Sequence, residues 1–448
     1  MNRIPGFAGT LIGPDDATYD THREVWNAMV DRRPALIARC TSAADVAAAI
    51  GHAREHGLTI GVKCGGHSVV GHSVPHEGLM IDLTPMSDVR VDPATRRATV
   101  GGGALLRFLD QASQAHGLAT TAGNVSHTGV GGLTLGGGMG WLARQFGMAC
   151  DNVEAYTVVT ADGETLRATA TEHPDLFWGL RGGGGNFGVV TEFEFRLHPV
   201  AGDALVVELA FEADDALEPM RRWRDLLPDA PRQATLTADV YTDGGRPMVA
   251  IGFVWVGDPE AGMAYLRTMR GIGEAVDETI QPMTYLALQS IGDENHAHGK
   301  RRYSTGHYLP ELPDAAIEAF LTRGATAGPD LDWTRVAGGG FQQHGGAIAE
   351  VGVEDAAFSH RDQVVEFVAA FTWLDPAEDA ERLAAARAFG AVMAPYSSGV
   401  YVNVLAEDGA DGVRRAYGDA KLARLAALKQ RYDPENVFHL NQNIAPSG

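Results

Sequence analysis

The sequence predicts an α+β protein built in two lobes, and three observations carry that expectation. The chain has 448 residues, enough for two hydrophobic cores. Up to residue 203, short apolar strand runs alternate with helix-like stretches around two dense glycine clusters. From residue 204 to 410 the glycine clusters vanish until Gly338-Gly339-Gly340, and the pattern is that of a largely antiparallel sheet covered by helices. Residues 411–448 form a separate C-terminal segment.

In the first lobe, Ala35 to Cys40 reads as a strand. Ser42 is placed to cap the next segment, with Asp45 completing a capping box, and Val46, Ala49, Ile50 and Ala53 recur at helical spacing until Gly57. Thr59 to Val62 is a second strand that runs directly into Cys64-Gly65-Gly66-His67. Leu79 to Leu83 and Ala98 to Val100 are further strands, and Leu105 to His116 is a helix closed by Gly117. Tyr156 to Thr160 and Thr165 to Ala168, split by Asp162-Gly163, read as a hairpin. Val189 to Leu197 continues as a strand. In the second lobe, Leu205 to Phe211, Thr235 to Tyr241, Val249 to Trp255 and Phe341 to Val351 are strand runs, and Glu260 to Met269 is helical. Asp411 to Tyr432 reads as one helix, followed by an extended tail rich in Asn and Gln.

Composition removes several functions. The formal charge of −21, with no basic run, excludes a nucleic-acid partner and docking on an anionic membrane. No apolar stretch reaches the ~18 residues a membrane span needs. The chain start lacks a signal-peptide pattern. Three scattered cysteines, Cys40, Cys64 and Cys150, make no disulfide framework. A cytoplasmic setting is the expectation.

The glycine clusters are where chemistry enters. Gly129 to Gly140 holds seven glycines in twelve residues, and Arg181 to Gly188 holds five in eight. Glycine lets backbone N–H groups approach a ligand closely, and a pyrophosphate suits such a nest. The usual dinucleotide fingerprint does not fit, because Thr134 stands where its third glycine belongs, and no Gly-Lys-Ser/Thr closes a P-loop. From the residues alone, His67, His72 and His76 are either solvated loop histidines or a metal cluster, the latter the basis of a flavin-free, metal-binding alternative.

Several motifs, in order, resemble one family. Lys63-Cys64-Gly65-Gly66-His67-Ser68 is similar to its Arg-Ser-Gly-Gly-His-Ser. The loop from Gly123 to Gly140 follows, then the stretch from Asp175 to Thr191, Phe358-Ser359-His360-Arg361, Tyr401-Val402-Asn403, and Tyr432 to Ile444. The chain thus resembles the berberine-bridge-enzyme-like FAD-linked oxidases of the vanillyl-alcohol-oxidase superfamily, with a PCMH-type FAD domain. The resemblance implies FAD bonded at its 8α-methyl group to His67, with Lys63, Cys64, Gly65, Gly66 and Ser68 around the link. It implies a cradle of Gly123, Val125, His127, Thr128, Gly129, Gly131, Gly132, Leu135, Gly136, Gly137 and Gly140, with Val190 bordering the adenine. Asn441, Gln442 and Asn443 resemble the tail that returns to the flavin, joining residues 411–448 to the FAD domain. No resident metal is implied.

Two departures sharpen the expectation. Many relatives carry a second, cysteinyl tether where this chain has Val125, so a single link through His67 is expected, as in the branch resembling 6-hydroxynicotine oxidase. Plant-type members place a Glu or Gln at the position of Ala369, so that carboxylate is missing. Tyr401 then becomes the candidate base, with Gln342 and His344 as further substrate-facing residues, while Glu350 reads as a surface group. The implied reaction is hydride transfer from a small alcohol or amine to the flavin, with O2 as acceptor giving H2O2. An oxidative cyclase or dehydrogenase of secondary metabolism on the same scaffold is the alternative. The sequence leaves a homodimer open.

Overall fold

The computed structural model describes residues 3–325, 331–406 and 408–447. Four strands form the first sheet: β1 (Thr10–Ile12), β2 (Leu36–Arg39), β3 (Ile60–Lys63) and β4 (Leu79–Asp82), in the order β1-β2-β4-β3. β2 and β3 both run parallel to β4. The helix Ala43–Glu55 makes the crossover from β2 to β3, and Val46, Ala49, Ile50 and Ala53 bury its apolar face against the sheet. Ser42 caps it by accepting a hydrogen bond from Asp45 N. The expected box is only half made, because the Asp45 carboxylate accepts from Thr41 and Ala8 instead.

A second, antiparallel sheet uses β5 (Val89–Asp92), β6 (Arg97–Gly101), β8 (Val153–Val159), β9 (Thr165–Thr169) and β10 (Val189–Arg196), in the order β5-β6-β10-β8-β9. The expected β8–β9 hairpin forms. A short pair, β7 (Leu118–Ala119) with β11 (His198–Pro199), leads into the second lobe.

That lobe is one seven-stranded antiparallel sheet: β12 (Asp203–Glu212), β13 (Ala234–Asp243), β14 (Arg246–Val256), β15 (Asp277–Thr284), β16 (Arg301–Leu309), β17 (Gly338–Gln343) and β18 (Val365–Trp373). Their order is β15-β12-β14-β13-β17-β18-β16. Alternate side chains on each strand enter one core with Trp223, Phe320 and Phe389 from the covering helices Leu217–Leu226, Asp314–Thr322 and Asp379–Met393. The opposite face of the sheet turns toward the first lobe.

Two sequence expectations change here. The strand expected over Phe341 to Val351 ends at Gln343, because Gly345 and Gly346 take φ of +81° and +59° and turn the chain into the short helix Ala347–Glu350. Glu350 is therefore not a strand residue; it pairs with Arg232 at the surface. The helix expected over 411–432 is two helices, Gly409–Tyr417 and Asp419–Tyr432, broken at Gly418 with φ +73°.

Buried charges fasten the lobes. Arg361 donates to Asp151 at 2.6 and 2.8 Å, with both side chains under 5% exposed. Arg144 donates to the carbonyls of Ala230, Pro231, Ala234 and His344. The fully buried Lys429 ammonium donates to Asp433, to Asn186 O and to Phe438 O, which returns the C-terminal tail to the first lobe. Among the described residues, no helix is long and apolar enough to cross a membrane.

Candidate active site

The site begins where β3 ends. Lys63 turns away from it and donates to the carbonyls of His22 and Glu24 at 2.7 and 2.8 Å. The chain then runs through Cys64-Gly65-Gly66, with Gly66 at φ +67°, and delivers His67. Gly65 lies against Gly129, the residue before the short helix Val130–Leu135. A Cβ on Gly129 would stand 2.3 Å from Gly65 N, and one on Gly65 would stand 2.3 Å from Gly129 N. Only glycine permits that approach.

Beyond this contact opens a cavity of about 420 Å³. Its wall includes both glycine clusters, through Gly131, Gly132, Gly184 and Gly185. A Cβ on Gly132 or on Gly185 would meet no protein atom within 4 Å, so the space beside them is a cradle that side chains would fill. The wall also carries buried polar atoms with no partner among the described residues: Ser73 Oγ, both ring nitrogens of His72, and Asn441 Oδ1. A buried polar group without a partner is costly, so the cavity calls for a ligand rich in donors and acceptors. A glycine cradle, orphaned polar atoms and apolar walls from Ile60, Val62 and Leu83 together fit FAD.

His67 stands in the cavity wall, stacked on Trp26 with ring centroids 4.7 Å apart. Its Nε2 is 2.8 Å from His127 Nδ1, and its Nδ1 is 3.3 Å from Thr128 Oγ1. Burial, then the neighbouring His127 and His298, pushes the imidazole down to about 2. The ring is therefore neutral at neutral pH and keeps a nucleophilic lone pair. Cys64 is the reverse case: burial pushes its thiol up to about 11, so no thiolate forms there.

Of the residues expected around the cofactor, Cys64, Gly65, Gly66, His67, Ser68, Thr128, Gly129, Gly131, Gly132, Leu135, Val190, Asn441 and Gln442 line the cavity. His127 acts one step back, through His67. Gly123, Gly136, Gly137 and Gly140 pack instead against Leu133, Asn403, Phe358 and Ala122. Lys63, Val125 and Asn443 also stand outside the lining. The triad His67, His72 and His76 does not assemble: the histidines whose ring nitrogens approach His67 are His127 and His298.

The expected base lies against the glycine loop. The Tyr401 hydroxyl accepts hydrogen bonds from Gly138 N at 2.7 Å and Asn403 Nδ2 at 2.8 Å, behind the cavity wall. Burial raises its phenol well above the usual 10, while the two hydrogen bonds it accepts act in the opposite direction. Gln342 and His344 also stand outside the cavity lining, with Gln342 Oε1 accepting from Asn124 Nδ2 at 2.9 Å. Ala369 is on the helix-covered face of β18. A carboxylate there would point into the core, whereas Glu366 is on the face toward the first lobe. Sequence reading passed over Glu366, Trp26 and Ser304. An acid inside the apolar run Val364 to Phe371 is the signal that marks Glu366.

Comparison with known proteins agrees with this geometry. Residues 34–169 match the family described as FAD binding domain, and residues 400–445 match the family described as berberine and berberine like. The (R)-6-hydroxynicotine oxidase of Paenarthrobacter nicotinovorans is 30% identical, over 98% of this chain and 97% of its own. The chain belongs to the berberine-bridge-enzyme-like FAD-linked oxidoreductases. An FAD-linked oxidoreductase of Dictyostelium discoideum is also 30% identical, over 94% of this chain and 91% of its own. The structure of 6-hydroxy-D-nicotine oxidase from Arthrobacter nicotinovorans superposes with a TM-score of 0.89 at 29% identity, covering 98% of both chains. Glucooligosaccharide oxidase from Acremonium strictum, whose flavin is described as 6-S-cysteinyl, 8α-N1-histidyl FAD, superposes at 0.85 with 25% identity and 98% coverage of both. In this FAD-linked oxidoreductase the glycine cradle and His67 line one cavity.

The two glycine roles separate by mutation. Gly129→Ala forces a Cβ against Gly65 N and Cys64 Sγ, so the flavin-free protein should lose roughly 1–3 kcal/mol of stability. Gly132→Ala meets no protein atom, so it should melt like the wild type without flavin yet carry less FAD. Thermal melts and the ratio of flavin to protein absorbance check both. Equal melting losses would refute the distinction.

The neutral His67 sets a pH dependence of definite sign. The unfolded chain titrates this histidine near 6.5, the folded chain near about 2. Above 6.5 both forms are neutral and the residue contributes nothing. Below 6.5 the unfolded chain binds a proton that the fold refuses, so the flavin-free protein loses on the order of 2 kcal/mol at about pH 5 from this residue. Urea unfolding near pH 7 and pH 5 should show a smaller loss for His67→Asn than for the wild type.

Proposed function

We propose that this protein is an oxidase carrying FAD through a single covalent bond to His67, and that it oxidises a small alcohol or amine with O2 as acceptor. The observation that carries this reading is the neutral imidazole of His67 in the wall of the glycine cradle. Bound FAD supplies a two-electron acceptor able to take a hydride and pass the electrons to O2.

The chain's own residues account for the rest. His67 offers a lone pair without prior deprotonation, and Trp26 and His127 hold its ring in place. Val125, which stands where a cysteinyl tether would be expected, offers no sulfur for a second link. Cys64, the thiol nearest His67 in the chain, is a poor substitute, because Sγ donates to Ala104 O at 3.3 Å and stays protonated. Gly132 and Gly185 would hold the pyrophosphate through backbone N–H groups, while Gly184 N donates to Leu135 O at 2.9 Å and fixes the loop. The tail residues Asn441 and Gln442 close the cavity, with Gln442 Nε2 fixed on Leu405 O at 2.9 Å.

Oxidase activity is tested apart from any substrate. Photoreduced enzyme mixed with aerated buffer should reoxidise rapidly and release one H2O2 per flavin. Slow reoxidation would favour the dehydrogenase or oxidative-cyclase reading instead.

A further inference from the structure

Three histidines from three separate segments meet beside Trp26. His67 comes from the turn after β3, and His127 from the loop that precedes the helix Val130–Leu135. His298 comes from the stretch of the second lobe that leads into β16. One ring nitrogen of each lies within 4.8 Å of those of the other two. His67 Nε2 is 2.8 Å from His127 Nδ1. The His298 ring centroid stands 5.8 Å from that of His67 and 5.2 Å from that of His127.

The backbone around His298 is held on both sides. Trp26 Nε1 donates to His296 O at 2.6 Å, and Ala28 N donates to Lys300 O at 3.0 Å. Ser126 gives its N–H and its hydroxyl to the Asp293 carboxylate at 2.9 and 2.6 Å. The His298 ring itself is exposed and makes no hydrogen bond among the described residues, so it can turn toward the other two. Two charges flank the cluster and offset each other: Arg302, 3.8 Å over the Trp26 ring, and Asp293, beside His127.

Three imidazoles converging on one point are the donor set of a zinc site whose fourth position is left for water. With Zn–N bonds of about 2.0–2.1 Å, two nitrogens on a tetrahedral ion stand about 3.3 Å apart. His67 and His127 must then part by about half an ångström, and His298 must close by about 1.5 Å at most, which rotation of an exposed side chain supplies. Between two neutral rings the hydrogen bond already holds one proton where the ion would sit. A zinc ion takes that place and leaves a hydrogen on the outer nitrogen of each ring. On His67 the outer nitrogen is Nδ1, and Thr128 Oγ1, 3.3 Å away, stands ready to accept its N–H.

We propose that the flavin-free chain binds one zinc ion through His67, His127 and His298, and that the ion withholds His67 from FAD. The second half rests on the covalent reading above and adds a regulation to it. A neutral imidazole has one basic lone pair, and a bond from its ring to the flavin is made with that pair. With Nε2 on zinc and a hydrogen on Nδ1, no lone pair is left for the tether. The same ion joins the second lobe, through His298, to both segments that wall the cradle.

The metal site is tested on full-length, flavin-free protein by calorimetric titration with zinc chloride. One zinc per chain should bind with a Kd in the micromolar range or below. His298→Ala, a change at an exposed ring, should weaken binding about tenfold or more, as should His127→Ala, while His296→Ala, next to the cluster but outside it, should leave it within about twofold. Zinc-loaded and metal-free proteins are then mixed with FAD, and acid-stable flavin is followed with time. Zinc should slow attachment about tenfold or more, a chelator should restore the rate, and His298→Ala should abolish the delay. No zinc binding at millimolar concentration, binding that is unchanged in His298→Ala, or attachment at the same rate with zinc bound would overturn the proposal. If metal-free protein attaches no FAD, the covalent reading falls and the withholding of His67 falls with it, while the zinc titration alone decides the metal site.

Discussion

Backbone meets backbone at Gly65 and Gly129, and the flavin site is arranged around that contact. It joins the end of a parallel strand to the start of a short glycine helix, with the amide of each residue where the other's Cβ would be. On one side of the contact the chain turns through Gly66 and presents His67. On the other it runs into Gly131 and Gly132, whose missing side chains leave the cavity open. Histidines 67 and 127, far apart in sequence, come within a hydrogen bond of each other because these two segments are pressed together. A methyl group at either glycine would separate the tether from the cradle.

The second constraint is the fastening of the lobes. Arg144 and the Asp151–Arg361 pair are charges buried at the seam, each with several hydrogen bonds, and leaving either unpaired would be costly. They hold the open face of the large sheet against the glycine half. A cofactor cradle then lies on one side of the seam and a row of polar residues on the other. This explains why the polar atoms without partners gather where they do: around the cradle at Ser73, His72 and Asn441, and on the sheet at Glu366, His344 and Tyr308.

Much of the first lobe was legible in the sequence because its chemistry is local. The strand into Gly65-Gly66-His67, the two glycine runs and the Asp162-Gly163 hairpin each declare themselves within a few residues. The second lobe was less legible because its meaning lies in register. Whether position 366 or 369 of β18 faces the first lobe depends on strand parity, which the loop after Arg361 sets and no local pattern reveals. Gly345 and Gly346 ended a strand that hydrophobicity alone would have continued to Val351. Tyr401 is a related case: its motif marks it out, but only the fold shows that its hydroxyl accepts from Gly138 and Asn403.

The central claim is that one histidine, and no other side chain, holds the flavin. It is tested most directly by digesting acid-denatured holoenzyme and weighing every peptide. The account predicts a single modified peptide, the one containing His67, heavier by one FAD less two hydrogens, and unmodified mass everywhere else. Flavin on any other peptide, or unmodified peptides throughout with FAD washed free, would contradict it.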